Sequence, residues 1–299
     1  MKILALKQRR LGDSILWTSA LQALSELPHA EIDLAFPAQF AEIFESDPRI
    51  RNKFPLQSGQ LKNLGAVREW RRENYDYVLN FHASPGSALL AQLSGGRTKV
   101  IHSHDRNGKR LRSDILVPEL GKPMKATERD LNVVRALGWQ GTSPAPRLHI
   151  SDSLRQRARA KYTPSTTKPL LLIAPFASRP SKQWPVWRYR ELVNSLLEEW
   201  DVAMMVEKRP ALSGWRGKVF ETPALSDALG LMGLARGFVG SDSGLKHMAA
   251  ALNVPTLTLF GPESMGEWHC YDSDIHRTIQ RTVPCRFHDR ETPEFAWCG

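Results

Sequence analysis

Cysteine is scarce in this chain. There are three in 299 residues, Cys270, Cys285 and Cys298, all near the end and none spaced as Cys-x-x-Cys. That argues against a disulfide scaffold, a zinc knuckle or a dithiol redox motif, and free thiols in a reducing compartment are expected. Long apolar runs are also missing. Nothing approaches the roughly 18–20 residues of a membrane span, and the first apolar piece, Ile3 to Leu6, is far too short for a secretory signal. A cytoplasmic protein is expected. No convincing Asp-x-Asp or other carboxylate cluster offers a divalent cation a site, so neither a metal nor another cofactor is expected. Repeats and low-complexity tracts are absent. Aromatic residues do not interleave with the basic ones as on a base-stacking platform, which argues against nucleic acid as the partner.

What is present is a basic first half. Residues 1–160 hold 25 Lys and Arg against 16 Asp and Glu, a net +9, whereas residues 161–299 hold 16 against 15, a net +1. Such asymmetry points to one half meeting an anionic partner, an acidic glycolipid or an anionic membrane surface. Hydrophobic content of 41% and charged content of 24% are ordinary for a globular protein, and the length exceeds that of most single domains. Short apolar runs (3–6, 32–35, 77–81, 99–102, 170–174, 202–206, 237–239 and 256–260) alternate with helical patterns (14–27, 61–73, 187–200 and 226–235). Alternation at this pace gives parallel sheets with right-handed crossovers. The fold class is therefore α/β, with two doubly wound Rossmann-like domains, 1–160 and 161–299. The polar, proline-flanked stretch from Tyr162 to Pro169 reads as the linker. Ligands in such folds bind at the carboxyl ends of strands, so both domains would face a common cleft.

The densest chemistry lies in Ser241-Asp242-Ser243-Gly244, followed by Lys246, His247 and an alanine run, between the apolar segments Gly237–Gly240 and Thr256–Phe260. This reads as strand, tight turn, helix and strand. A small hydroxyl-bearing turn at a helix start offers free N–H groups and the positive end of the helix dipole, which suit a phosphate. Ser243, Gly244 and the N–H groups of Leu245 and Lys246 would cradle a pyrophosphate. Asp242 would shape the turn or hold a sugar hydroxyl, and His247 would donate to phosphate or hold the loop. Lys182 follows a strand and a Ser/Arg loop and offers a point charge to a leaving phosphate, with Ser178 placed for the same group. Glu207, at a strand end, could hold ribose hydroxyls, with base contacts around Pro223–Leu225. Asp13 follows the first strand as Gly12-Asp13. It reads either as a helix N-cap or as a general base. Lys7, Arg9 and Arg10 flank it, and Arg106, Lys109, Arg110 and Arg112 form a second basic cluster. Arg68, Arg71 and Arg72 read as an ordinary helix face.

The ordered set of Lys2–Lys7, Arg10-x-Gly12-Asp13, Met124–Asn132 to Leu137-Gly138, Ile173–Arg179, Lys182-x-Trp184-Pro185 and Asp242-Ser243-Gly244-x-x-His247 resembles the lipopolysaccharide heptosyltransferase family. That family is glycosyltransferase family 9, of GT-B fold. The resemblance implies an inverting transferase that moves heptose from ADP-heptose to an acidic, Kdo-type inner-core acceptor at the cytoplasmic face of the inner membrane. It makes Asp13 the general base and assigns Ser178, Lys182, Glu207, Asp242, Ser243, Gly244 and His247 to the donor and Lys7 and Arg10 to the acceptor. Another nucleotide-sugar donor, or a binding protein without turnover, stays open as an alternative. The tail from Val283 onward has two prolines and no helical periodicity, where relatives close with a helix.

Overall fold

The computed structural model describes residues 1–82, 84–102, 113–118, 120–121, 124–165, 167–208, 213–222, 224–271 and 274–281. The cluster Arg106–Arg112, Pro223, the tail with Cys285 and Cys298, and Asp272 and Ser273 lie outside them. The chain divides into two compact units, Met1–His149 and Ile150–Gly299.

Unit 1 contains β1 (Lys2–Leu6), α1 (Leu11–Leu16), α2 (Thr18–Ser25), β2 (Glu31–Pro37), α3 (Ala41–Phe44), β3 (Ile50–Leu56), α4 (Leu64–Glu73), β4 (Tyr77–Asn80), α5 (Pro85–Leu93), β5 (Thr98–His102), β6 (Ile115–Val117) and α6 (Ala126–Arg135). Its strands form one parallel sheet in the order β3-β2-β1-β4-β5-β6. Unit 2 contains α7 (Asp152–Tyr162), β7 (Leu170–Ala174), α8 (Val186–Leu196), β8 (Asp201–Val206), β9 (Lys218–Glu221), α9 (Leu225–Met232), β10 (Gly237–Ser241), α10 (Gly244–Ala251), β11 (Thr256–Phe260), α11 (Met265–Trp268) and β12 (His276–Gln280). Its sheet, β9-β8-β7-β10-β11-β12, repeats the same winding in parallel. The first strand of each unit lies at mid-sheet and the order reverses beside it. That is the topological switch point, where open α/β sheets bind ligands.

Inner strands are covered on both faces and so read as unbroken apolar runs. In unit 1, Leu4 and Leu6 pack with Val67 and Trp70 of α4 and Leu90 and Ala91 of α5. Helix α4 buries Val67 and Trp70 and leaves Arg68, Arg71 and Arg72 exposed, as its spacing predicts. A capping box starts α5, in which Ser84 and Ser87 exchange side-chain and backbone hydrogen bonds ahead of Pro85. One polar group is deliberately buried. Asp33 accepts hydrogen bonds from Arg51, Asn52 and Tyr75 and so ties β2 to β3 and to the α4–β4 turn. Burial would raise its carboxyl, but these donors outweigh that and hold it below the ordinary carboxylate range. In unit 2, Leu171, Ile173, Val202 and Val239 pack with Tyr189 and Val193 of α8.

The division falls at 149/150, where the sequence suggested 160/161. The physical reason is α7. Ser151 caps it by accepting from the Leu154 N–H (3.3 Å), and Leu154, Ala158 and Tyr162 are buried. Its contact is with α9, and Gly230 of α9 lies against Leu154 and Ala158. Likewise the single helix expected over 14–27 is two, α1 and α2, meeting at Trp17.

Candidate functional site

In unit 1 the loop after β1 crosses the switch point. Arg9 Nη2 donates to the His82 carbonyl beyond β4 (3.4 Å). Arg10 is exposed and occupies the N-cap position of α1 without making a side-chain cap. Asp13 is therefore the third residue of the helix, and the N-cap reading does not hold. Its Oδ1 lies 3.5 Å from Arg129 Nη2 of α6, and both side chains are 14% exposed. No described residue bonds its Oδ2, which is left to accept. Beside it Ser14 Oγ and Arg129 Nε are buried without a hydrogen-bond partner among the described residues.

Lys7 does not present its ammonium to a ligand. It is wholly buried, with Nζ 2.5 Å from Asp130 Oδ2. Burial lowers Lys7, and Asp130 offsets this only in part. Burial would raise Asp130, but Lys7 and Arg129 outweigh it and hold the carboxyl below its usual range. Arg129 Nε sits 3.6 Å from Asp130 Oδ1, so the chain of charges runs Lys7, Asp130, Arg129, Asp13. His102, at the end of β5, is held by burial at a pKa of about 4 and is neutral at physiological pH. Its Nε2 therefore carries the proton donated to the Phe81 carbonyl (3.2 Å).

In unit 2 the ends of β7 and β10 are joined by Ser241 Oγ, which donates to the Pro175 carbonyl (2.9 Å). Asp242 then receives two lysines: Lys182 Nζ on Oδ2 (3.0 Å) and Lys246 Nζ on Oδ1 (2.7 Å). Burial would raise this carboxyl, but Lys246 and then Lys182 keep it below the ordinary range. Lys246 is 1% exposed and also donates to the Trp268 carbonyl (3.0 Å), whereas Lys182 is 16% exposed and reachable. Glu263 accepts from Arg179 and lies 3.6 Å from Lys182. Among the described residues no side chain caps α10: Ser243 is its N-cap, and the Ser243 hydroxyl, like that of Ser181, is buried with no hydrogen-bond partner among them. The first N–H groups of α10, beginning with Gly244, have no intrahelical acceptor.

His247 is turned away from that role. Burial, then Lys246 and His269, hold it well below its ordinary pKa, so the ring is neutral. The Tyr271 hydroxyl donates to the His247 carbonyl (3.3 Å) and lies 3.2 Å from Nδ1, which anchors the helix. Ser178 is exposed on the β7–α8 loop, and Glu207 is exposed after β8. Among the described residues no group of His, Cys, Asp and Glu could hold a metal, and no helix is long and apolar enough to cross a membrane. Cys270 is buried, outside any disulfide, and its thiol donates to the Glu267 carbonyl (3.4 Å).

Sequence reasoning passed over Arg129, Asp130, Glu263 and the side chain of Lys246. Lys246 carried a local signal in its i, i+4 spacing from Asp242, whereas Arg129 and Asp130 lay in a segment of the family resemblance that assigned them no role.

Gly261 sets the height of Lys182. A Cβ there would stand 2.4 Å from the Ser181 carbonyl oxygen and 3.1 Å from Lys182 Cα, backbone atoms with nowhere to go. Gly261→Ala is expected to displace the Pro180–Lys182 turn, to weaken binding of inorganic pyrophosphate, a probe of the Lys182 ammonium, about tenfold, and to lower the melting temperature of the chain. A pyrophosphate affinity unchanged by calorimetry would show that the turn can shift without moving the Lys182 ammonium.

Two doubly wound parallel sheets, one with a carboxylate at its switch point and the other with a lysine-rich turn and an uncapped helix, place the chain in the GT-B fold class. Residues 65–294 match the model of glycosyltransferase family 9 (heptosyltransferase), and the chain belongs to that family. It is 29% identical to lipopolysaccharide heptosyltransferase 1 of Pseudomonas aeruginosa, over 95% of this chain and 85% of that one. It is 25% identical to lipopolysaccharide heptosyltransferase 2 of Escherichia coli K12, over 88% and 84%. Among solved structures, the fold is similar to that of E. coli ADP-heptose lps heptosyltransferase II, with a TM-score of 0.78 at 24% identity over 95% of this chain and 91% of that one. A family 9 glycosyltransferase from Veillonella parvula gives a TM-score of 0.81 at 18% identity, over 94% and 87%.

Proposed function

We propose that this glycosyltransferase moves heptose from ADP-heptose to a lipopolysaccharide inner-core acceptor, with inversion and without a metal, as a peripheral enzyme at the cytoplasmic face of the inner membrane. The observation that carries the reading is the uncapped start of α10 beside Lys182. Free N–H groups, the positive end of a helix dipole and a reachable ammonium suit a diphosphate. Lys246 has a supporting part. Buried against Asp242, it neutralises a carboxylate that would otherwise repel the diphosphate, and Lys182 is thereby free to change partner.

In the step itself an acceptor hydroxyl attacks the anomeric carbon on the face opposite the diphosphate. Asp13 Oδ2 takes the hydroxyl proton as the new C–O bond forms. The bond from the anomeric carbon to the β-phosphate oxygen breaks, and its electron pair leaves on the nucleoside diphosphate, whose charge Lys182 and the α10 N–H groups stabilise. Arg129 keeps the Asp13 carboxylate oriented through Oδ1. Glu207 and Ser178 stand as outer contacts for ribose and phosphate, and His247 supports the turn from within. Names of relatives that carry ADP-heptose and lipopolysaccharide favour this donor and acceptor.

The test is nucleoside-diphosphate release from ADP-heptose with a Kdo-containing lipid A acceptor, with UDP- and GDP-sugars in parallel. Release should require ADP-heptose and acceptor together and be unaffected by EDTA. Lys182→Ala should lower kcat/KM about 100- to 1,000-fold, the usual effect of losing one donor to a developing anion. Release with a different nucleotide sugar, or a Lys182→Ala enzyme close to wild type, would overturn the donor assignment.

A further inference from the structure

Unit 1 contains a cavity of about 320 Å³ whose described lining residues include neither Asp13 nor the basic residues of the first loop. It opens where β1, β2 and β3 end: Gln8 follows β1, Gln39 follows β2, and Gln57 and Ser58 follow β3. Leu56 and Leu90, both buried, give it an apolar wall. No described lining residue is charged. Among the described residues nothing hydrogen-bonds the side-chain amides of Gln8, Gln39 or Gln57.

The loop that carries this lining is fixed in place. Asn63, 5% exposed, accepts from the Gln57 N–H on Oδ1 (2.9 Å) and donates from Nδ2 to the carbonyls of Gln57 (3.0 Å) and Gly59 (2.9 Å). Gly59 makes the bend at φ +94°, a backbone conformation that other residues rarely adopt. A buried asparagine spent wholly on the backbone of one loop holds the rim residues Gln57 and Ser58 where they are.

The ligand chemistry follows from the lining. A primary amide offers two donors and an acceptor, which match a hydroxyl that both gives and takes. A carboxylate or phosphate would meet no cation among the described lining residues and would be partly desolvated, which is unfavourable. Leucine walls suit the C–H face of a sugar ring, and the volume lies at the small end of the about 300–1,000 Å³ range of ligand pockets, enough for one residue. We propose that this cavity holds an uncharged, hydroxyl-rich sugar residue of the acceptor. The assignment of that sugar to the acceptor rests on the transferase reading above; the binding of a neutral sugar does not. An acidic group of the same acceptor would lie outside the cavity, where Arg10 is exposed.

The experiment is saturation-transfer NMR on the full chain without donor, with methyl α-mannoside as the neutral probe and free Kdo as the acidic one. Methyl mannoside should bind and Kdo should not compete with it. Gln39→Leu/Gln57→Leu, which changes only exposed rim side chains, should weaken mannoside binding about tenfold or more. Gln57→Lys should weaken the mannoside and admit Kdo. Mannoside binding indifferent to the double variant, preference for Kdo in the wild type, or no mannoside signal at millimolar probe would each overturn the proposal. Nucleoside-diphosphate release is scored separately. Intact mannoside binding without release rejects the transferase reading alone, and release without mannoside binding rejects the cavity assignment alone.

Discussion

Asp13→Asn is expected to cost turnover about 100- to 10,000-fold, the range for removing a general base, with little change in nucleotide affinity or melting temperature. Asparagine keeps the shape and the contact of Oδ1 with Arg129, so the loop after β1 has no reason to move. What it loses is the acceptor lone pair at Oδ2 that no described residue occupies. A fall in kcat with unchanged ADP binding by calorimetry separates this from a folding effect. Near-normal release by the variant would leave Asp13 as a structural partner of Arg129 and require another base. Asp13→Ala is the harsher test. It also strips Arg129, 14% exposed, of one of its two carboxylates, so some loss of stability should accompany the loss of rate.

How much of this was legible in the sequence depended on where a residue sits in the sheet. The eight strands read from apolar runs are the inner ones, β1, β2, β4, β5, β7, β8, β10 and β11, which have neighbours on both sides. The four that were missed, β3, β6, β9 and β12, are all sheet edges. Edge strands are half solvated and protected from pairing by charge and proline. β3 runs Ile-Arg-Asn-Lys-Phe-Pro-Leu with only its two ends buried, so its sequence looks like a loop. Both site turns were visible because each follows an inner strand and starts a helix. Their partners were not. Arg129 reaches Asp13 across 116 residues and Asp130 reaches Lys7 across 123, separations at which no local periodicity carries information. Lys7 misleads for a physical reason: a lysine after a strand is ordinarily exposed, and only a fixed carboxylate can bring it inside. His247 misleads similarly, since a histidine one turn into a phosphate-type helix can face the ligand or the core, and Tyr271 draws it to the core. Lys246 was hidden by its setting, a cation in a helix that is buried from Lys246 to Ala251 and, His247 aside, otherwise apolar there.

The second large effect concerns Lys7 and Asp130. Removing one member of a buried ion pair leaves the other desolvated and uncompensated, which typically costs about 3–5 kcal/mol. Both are within 1% of full burial, so solvent cannot rescue the survivor. Lys7→Met would leave Asp130 with Arg129 Nε at 3.6 Å as its remaining cation. Asp130→Asn would leave the Lys7 ammonium buried beside Arg129, two like charges without the carboxylate between them. For a unit of this size about 1 kcal/mol shifts melting by roughly 2–4 °C, so each variant should melt about 6–20 °C lower. Lys7→Met/Asp130→Leu should recover much of that loss, because an apolar pair of similar volume carries no desolvation penalty. Acid should act in the same sense as Asp130→Asn. The carboxyl is depressed in the folded state, so its contribution is present above its unfolded pKa of about 3.9 and is lost as pH falls through the folded value. Thermal denaturation of the three variants at neutral pH, and of wild type below pH 4, reads all of this. Single variants that melt within a degree or two of wild type would mean that the pair contributes no more than a surface salt bridge. A double variant that regains stability but not turnover would separate two roles: filling the space beneath the β1 loop, which hydrophobic residues can do, and holding Arg129 against Asp13, which they cannot.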